Sequence, residues 1–230
     1  MSIRSLRWLG IAALIIGYAL LSHYTSASPQ HGNLGALVSI APVLLIVLAL
    51  VWRAVLGSAM RRSLRISLLC LFTLGCVALW LSWPLLVQHF GVVYWIQHAG
   101  MQLILFMTFG RTLLKGQKPL CTRFAQAVHS PHAPLTPLAP QHEKYTRQVT
   151  IAWALFFAAM TLMSTLLFFL TTLTIWSLFA NFLTLPLVAL MFIAEYIVRT
   201  QVLPDAQHGH ILDAVRAYWK PSAPPQVDRR

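Results

Sequence analysis

The sequence predicts an all-α, polytopic membrane protein with six transmembrane helices and both termini cytoplasmic. Three observations predict it. Hydrophobic residues make up 58% of the 230 and charged residues only 10%, and the mean hydropathy is +0.69, outside the soluble globular range. Six apolar stretches, at about 6–24, 34–52, 64–86, 92–109, 149–170 and 174–198, each approach or exceed the roughly 20 residues that cross about 30 Å of hydrocarbon at 1.5 Å per residue. Finally, the seventeen Lys and Arg residues fall only at the two chain ends and in alternate gaps, with Arg7 and Arg65 at the stretch ends that border those regions. Under the positive-inside rule this puts both termini and two loops on the cytoplasmic side.

The first stretch follows Arg4 and Arg7. Ser26, Ala27 and Ser28 after it resemble a signal-peptide cleavage site, but the chain runs straight into further spans, so an uncleaved signal anchor is expected. Gly10 and Gly17, seven apart, lie near one face and predict a close helix contact there. The second stretch begins after Pro29 and Gly32 and contains Pro42, which frees a carbonyl one turn back and predicts a kink. Arg53, Arg61, Arg62 and Arg65 follow it. Cys70 and Cys76 in the third stretch are six apart, on different helix faces, and read as small packing residues rather than a disulfide framework.

An outer connection is expected around 88–91, flanked by Trp80, Trp83, Pro84, Tyr94 and Trp95 as interfacial aromatics. In the fourth stretch Gln97, His98 and Gln102 are expected to hydrogen-bond between helices. The segment 111–147 forms a basic, proline-rich cytoplasmic loop, with Arg111, Lys115, Lys118, Arg123, Lys144 and Arg147 against Glu143 alone. Pro131, Pro134, Pro137 and Pro140 favour extended structure over 130–140. Residues 122–128 predict a short helix on the membrane surface with Phe124 and Val128 inward. Glu143 to Arg147 lead into the fifth stretch. After residue 204 a cytoplasmic tail carries Ile211, Leu212, Val215 and Trp219 at helical spacing, a short amphipathic helix. The expected organisation is thus a six-helix membrane domain over 1–204 and a tail over 205–230.

Candidate chemistry is sparse. Glu195 is the one carboxylate inside a span, and Arg199 at i+4 makes an ion pair the simplest reading. Contact with a substrate or partner, and proton relay, are the functional alternatives. His129, His132, His142, His208 and His210 lie on the cytoplasmic side at loose metal-ligand spacing. They lack paired adjacent histidines and have prolines between them, so solvated loop histidines are expected and no metal. No nucleophile elbow, phosphate loop, dinucleotide fingerprint or intramembrane aspartate pair occurs, and no cofactor is implied. The formal charge of +12 is largely topology and implies anionic membrane lipids as partners, with no nucleic acid.

Lys118, Pro119, Leu120, Cys121, Thr122, Arg123, Phe124 and Ala125, then His129, Leu135, Thr136 and Pro137 carry a resemblance. So do Tyr145, Thr146, Arg147, Val149, Thr150, Ala152 and Trp153, and later Ala194, Glu195, Tyr196 and Arg199. Over 110–199 the chain resembles an uncharacterised family of bacterial inner-membrane proteins. Its members are encoded among fatty-acid-synthase-like genes, including aryl-polyene clusters with acyl carrier proteins. The resemblance carries no catalytic residue. It implies a non-catalytic accessory or scaffold of an acyl-lipid pathway at the cytoplasmic face. Acyl carrier proteins are acidic, and Arg111, Lys115, Lys118 and Arg123 offer the complementary charge. A small transporter or flippase using Glu195, His98 and the second span is the first alternative. A membrane acyltransferase using His129 or His142 is the second.

Overall fold

The computed structural model describes residues 3–27, 31–56, 62–129 and 139–203. Among them the chain is all helical, and six helices are long and apolar enough to cross a membrane. In order the elements are α1 (Ile3–Ala27), α2 (Gly32–Leu56), α3 (Arg62–Leu81), α4 (Trp83–Arg111), the short, non-spanning α5 (Leu120–His129) and α6 (Pro140–Leu170). A last span follows as α7 (Leu173–Leu178), a π turn (Phe179–Leu183) and α8 (Thr184–Val202). The extended segment expected over 130–140 lies outside the described residues up to 138, as do the tail helix and His132, His208 and His210. The chain gathers into two compact units: unit 1 is Met1–Leu103 with Ala158–Ala189, and unit 2 is Ile104–Phe157 with Leu190–Arg230.

Unit 1 is centred on Ala36 and Val38 of α2, Phe90 and Tyr94 of α4, and Trp176 of α7. Small residues set the close approaches. A Cβ on Gly35 would stand 2.7 Å from the Phe90 ring, and one on Gly91 3.0 Å from Leu173. Gly10 and Gly17, expected to do this, have nothing within 4 Å. The close approach belongs to glycines opposite large side chains, and glycine spacing alone does not reveal what lies opposite.

Other expectations are corrected as well. Cys70 and Cys76 are both exposed, because the inward face of α3 is Arg65, Leu68, Phe72 and Leu79. Tyr94 is core, 4% exposed, where an interfacial position was expected. The break between the third and fourth spans falls at Ser82, before Trp83. Residues 88–91 lie within α4, whose backbone leaves helical geometry at His89 (φ −121°, ψ 23°). Trp83 to Val87 are as apolar as a span interior, so hydropathy could not separate them from the third stretch. Helix α2 carries Pro42 inside it, at the place of the expected kink, and continues to Leu56.

The π turn has a local cause. Pro186, the third residue of α8, has no N–H, and its ring would crowd the Phe182 carbonyl four residues back. A wider turn immediately before it relieves that contact. Large apolar side chains cover the outside of the spans, among them Leu14, Leu45, Leu71, Trp80 and Phe169, each at least 66% exposed. Such a surface suits lipid contact. Within lipid, packing and interhelical hydrogen bonds, rather than expulsion of water, hold the helices together.

Candidate functional site

In unit 2 the first turn of α5 is held by hydroxyls. Four N–H groups at a helix start have no partner within the helix. Here Leu120 N–H donates to Thr112 Oγ1 at 3.1 Å, Cys121 N–H to Thr150 Oγ1 at 3.2 Å, and Arg123 N–H to the Pro119 carbonyl at 3.1 Å. Thr122 and Thr146 meet at 2.8 Å. The Thr146 hydroxyl proton goes to the Glu143 carbonyl at 3.0 Å, so Thr122 is the donor between them. Thr150 likewise donates to the Thr146 carbonyl at 2.8 Å and accepts from Cys121. Gly116, at φ +82°, turns the chain between α4 and α5 in a conformation that a side chain would strain.

Helix α5 therefore turns Thr122 and Gln126 inward, 0% and 4% exposed. Phe124 faces away from the protein, 62% exposed; the inward packing of this helix is polar and its apolar side is free for the membrane. The helix meets α6 at Thr146 and Thr150, next to the exposed Gln141, Glu143, Lys144, Arg147 and Gln148. At 31 residues, α6 is about 46 Å long and outruns a hydrocarbon layer of about 30 Å. Thr146 and Thr150 fall where its polar turns give way to apolar ones, so α5 lies at that boundary. Burial, with a smaller contribution from the Glu195 charge, pushes the Cys121 thiol pKa up.

Glu195 and Arg199 form the expected pair at i, i+4, with 3.8 Å between Arg199 Nε and Glu195 Oε1. The guanidinium also lies 5.5 Å from the Tyr196 ring centre. Tyr145 was not singled out as a site residue. Its hydroxyl lies 3.2 Å from both Glu195 Oε1 and the Glu195 carbonyl, so its one proton is shared. Arg111, Lys115, Lys118, Arg123 and Arg147 are exposed, and Arg123 Nη2 donates to Gln117 Oε1 at 3.1 Å. His129 ends α5.

His98 belongs to unit 1. Its Nδ1 is 2.9 Å from Ser164 Oγ and its Nε2 3.0 Å from Thr184 Oγ1. Thr184 donates its proton to the Phe179 carbonyl at 3.2 Å, so it accepts from His98 Nε2–H. Nδ1 of the neutral ring is then the acceptor, and Ser164 donates to it while accepting from Trp176 Nε1–H at 3.1 Å. Four donors and four acceptors close in one directed chain, and the imidazole edge packs against Trp176 and Phe179. Gln97 Nε2 donates to the Ser39 carbonyl at 2.6 Å, one turn before Pro42. Gln102 is 5% exposed, but its Oε1 has no partner among the described residues.

The sequence singled out His98, Gln97, Glu195 and Arg199, and the structure gives each a hydrogen bond or ion pair. It did not single out Ser164, Thr184, Trp176 or Tyr145 as partners. One available signal was Thr146 with Thr150, hydroxyls at i, i+4 where an apolar run begins. Polar residues inside spans, such as Ser164 and Asn181, were another. Among the described residues no group of three or more His, Cys, Asp or Glu stands together to hold a metal ion.

The fold defines a multi-pass membrane protein, with buried polar networks in both units. No family model, curated protein or solved structure matches the chain.

Proposed function

We propose that this chain is a non-catalytic accessory or scaffold protein of an acyl-lipid pathway in the bacterial inner membrane. Its basic cytoplasmic segment docks an acidic acyl carrier protein. The observation that carries the reading is α5: its first turn is tied to Thr112, Thr146 and Thr150 while Arg111, Lys115, Lys118 and Arg123 stay exposed beside it. Arg123 sits on the tethered α5, Arg111 ends α4, and Lys115 and Lys118 lie in the short turn between them; charges held between two anchored helices lose less entropy on docking than the same charges on a free loop. Complementary charge raises the encounter rate and orients the acidic partner.

The test is capture of acyl carrier proteins by detergent-solubilised protein at two ionic strengths. Wild type is expected to hold carrier at low salt and lose most of it near 0.15 M, where exposed charges are screened beyond about 8 Å. The double variant Lys115→Glu/Lys118→Glu is expected to bind little at either salt while inserting normally, since Arg53 and Arg65 still hold the neighbouring loop. Capture of anionic lipid without any carrier by the wild type would reject the docking role and leave topology as the reason for the charge.

A further inference from the structure

Unit 1 holds a second hydrogen-bonded histidine whose engagement is the opposite of His98. His23 lies four residues before the end of α1, about 6 Å along the helix axis. Its Nδ1 is 2.7 Å from Ser177 Oγ. The single hydroxyl proton of Ser177 goes to the Thr174 carbonyl at 2.9 Å. Ser177 must therefore accept, and His23 Nδ1 carries the hydrogen. Ser177 is 0% exposed, and Phe182 meets the imidazole edge-on at 5.5 Å between ring centres, so the ring is fixed from two directions. Around that contact Asn181 donates to Ser22 Oγ at 3.3 Å and to the Ser177 carbonyl at 3.0 Å.

The consequence lies at the other nitrogen. With Nδ1 protonated, neutral His23 has its lone pair at Nε2. That atom has no partner among the described residues, and it is not enclosed in the way that His31 Nδ1 is. Donation to Ser177 uses one ring nitrogen; nothing among the described residues uses the second. Unit 1 also has no Asp or Glu among its described residues. A donor arriving at this end of α1, at the depth where a span meets headgroups, therefore finds in His23 Nε2 a strong, fixed acceptor without a competing carboxylate. Orientation through Nδ1–H is also what prepares an imidazole to present Nε2 to a ligand.

We propose that His23 is a recognition site for a lipid headgroup bearing an N–H or O–H donor, held by a hydrogen bond into Nε2. The probes are phosphatidylethanolamine (ammonium donor), a neutral glycosyl diacylglycerol (hydroxyl donor) and phosphatidylcholine (no donor). All three are without net charge, so the basic loops do not bias the comparison. Purified full-length protein is exchanged into an equimolar mixture, and co-purifying lipid is counted by native mass spectrometry. One hydrogen bond predicts enrichment of a donor lipid over phosphatidylcholine of about 3- to 10-fold. His23→Asn keeps an N–H near Ser177 but removes the acceptor at the Nε2 position. It should bring the ratio to about one with the melting temperature unchanged. His23→Gln, with a carbonyl oxygen near the Nε2 position, should keep part of the preference. Enrichment of the ethanolamine lipid alone assigns an ammonium ligand, and of the glycolipid alone a hydroxyl. Equal retention of all three lipids by wild type, or a preference that persists in His23→Asn, would overturn the site.

Discussion

At His98 the direction of every hydrogen bond follows from counting hydroxyl protons. The ring is a fixed Nε2–H tautomer between Ser164 and Thr184. Ser164→Ala strands both His98 Nδ1 and Trp176 Nε1–H, so it is expected to cost about 1–3 kcal/mol, above the ~0.6 kcal/mol average of a membrane interhelical hydrogen bond. Thermal unfolding in detergent checks this; a variant as stable as wild type would mean the chain of bonds is not formed. Glu195 behaves differently. Its Arg199 contact is long and joins neighbours on one helix, so a double-mutant cycle of Glu195→Gln and Arg199→Gln should give coupling below about 1 kcal/mol. A cycle of Glu195→Gln with Tyr145→Phe should give the larger coupling, since that bond joins residues fifty apart. Clear additivity between Glu195 and both partners would point to a separate role for the carboxylate. The difference also explains what was legible. Glu195 with Arg199 is a pattern within one turn of one helix, readable in sequence. Tyr145 with Glu195, or Ser164 with His98, depends on which helices meet, and no local spacing records that.

Among the elements, α5 is the one whose environment was least legible. Its helical pattern could be read from 122–128, but Phe124, expected inward, is exposed, and the docking rests on Thr112, Thr146 and Thr150, hydroxyls in segments 8 and 24 or more residues away. Cys121 reports on that docking. Burial raises its pKa, so its thiolate fraction near pH 8 is below that of a free cysteine, and alkylation should accelerate only at higher pH. The unfolded thiol ionises first as pH rises, so docking of α5 should weaken progressively above the ordinary thiol pKa. Thr150→Val removes the acceptor of Cys121 N–H and should increase maleimide labelling of Cys121 several-fold at neutral pH, the effect of losing about 1 kcal/mol. Unchanged labelling would show that the threonine contacts do not hold the helix. The π turn, by contrast, had a visible signal in Pro186. Pro42 sent a similar signal without interrupting its helix, so proline alone does not say how the backbone yields.

For the whole molecule, six long apolar helices were legible because hydrocarbon thickness imposes length and composition directly. The two-unit organisation was not, since it depends on long-range contacts rather than on any composition shift. The assignment of sides rests on the alternation of Lys and Arg, and the carrier and headgroup proposals both build on the spans it orders. The most direct measurement is a set of dual reporter fusions that are active on one side of the membrane only. Fusions after Thr25, Gln88 and Thr172 should report the periplasm, and fusions after Ser58, Ser130 and Pro221 the cytoplasm. A cytoplasmic signal after Gln88, next to the His89 kink in the first turns of α4, would contradict the six-span arrangement.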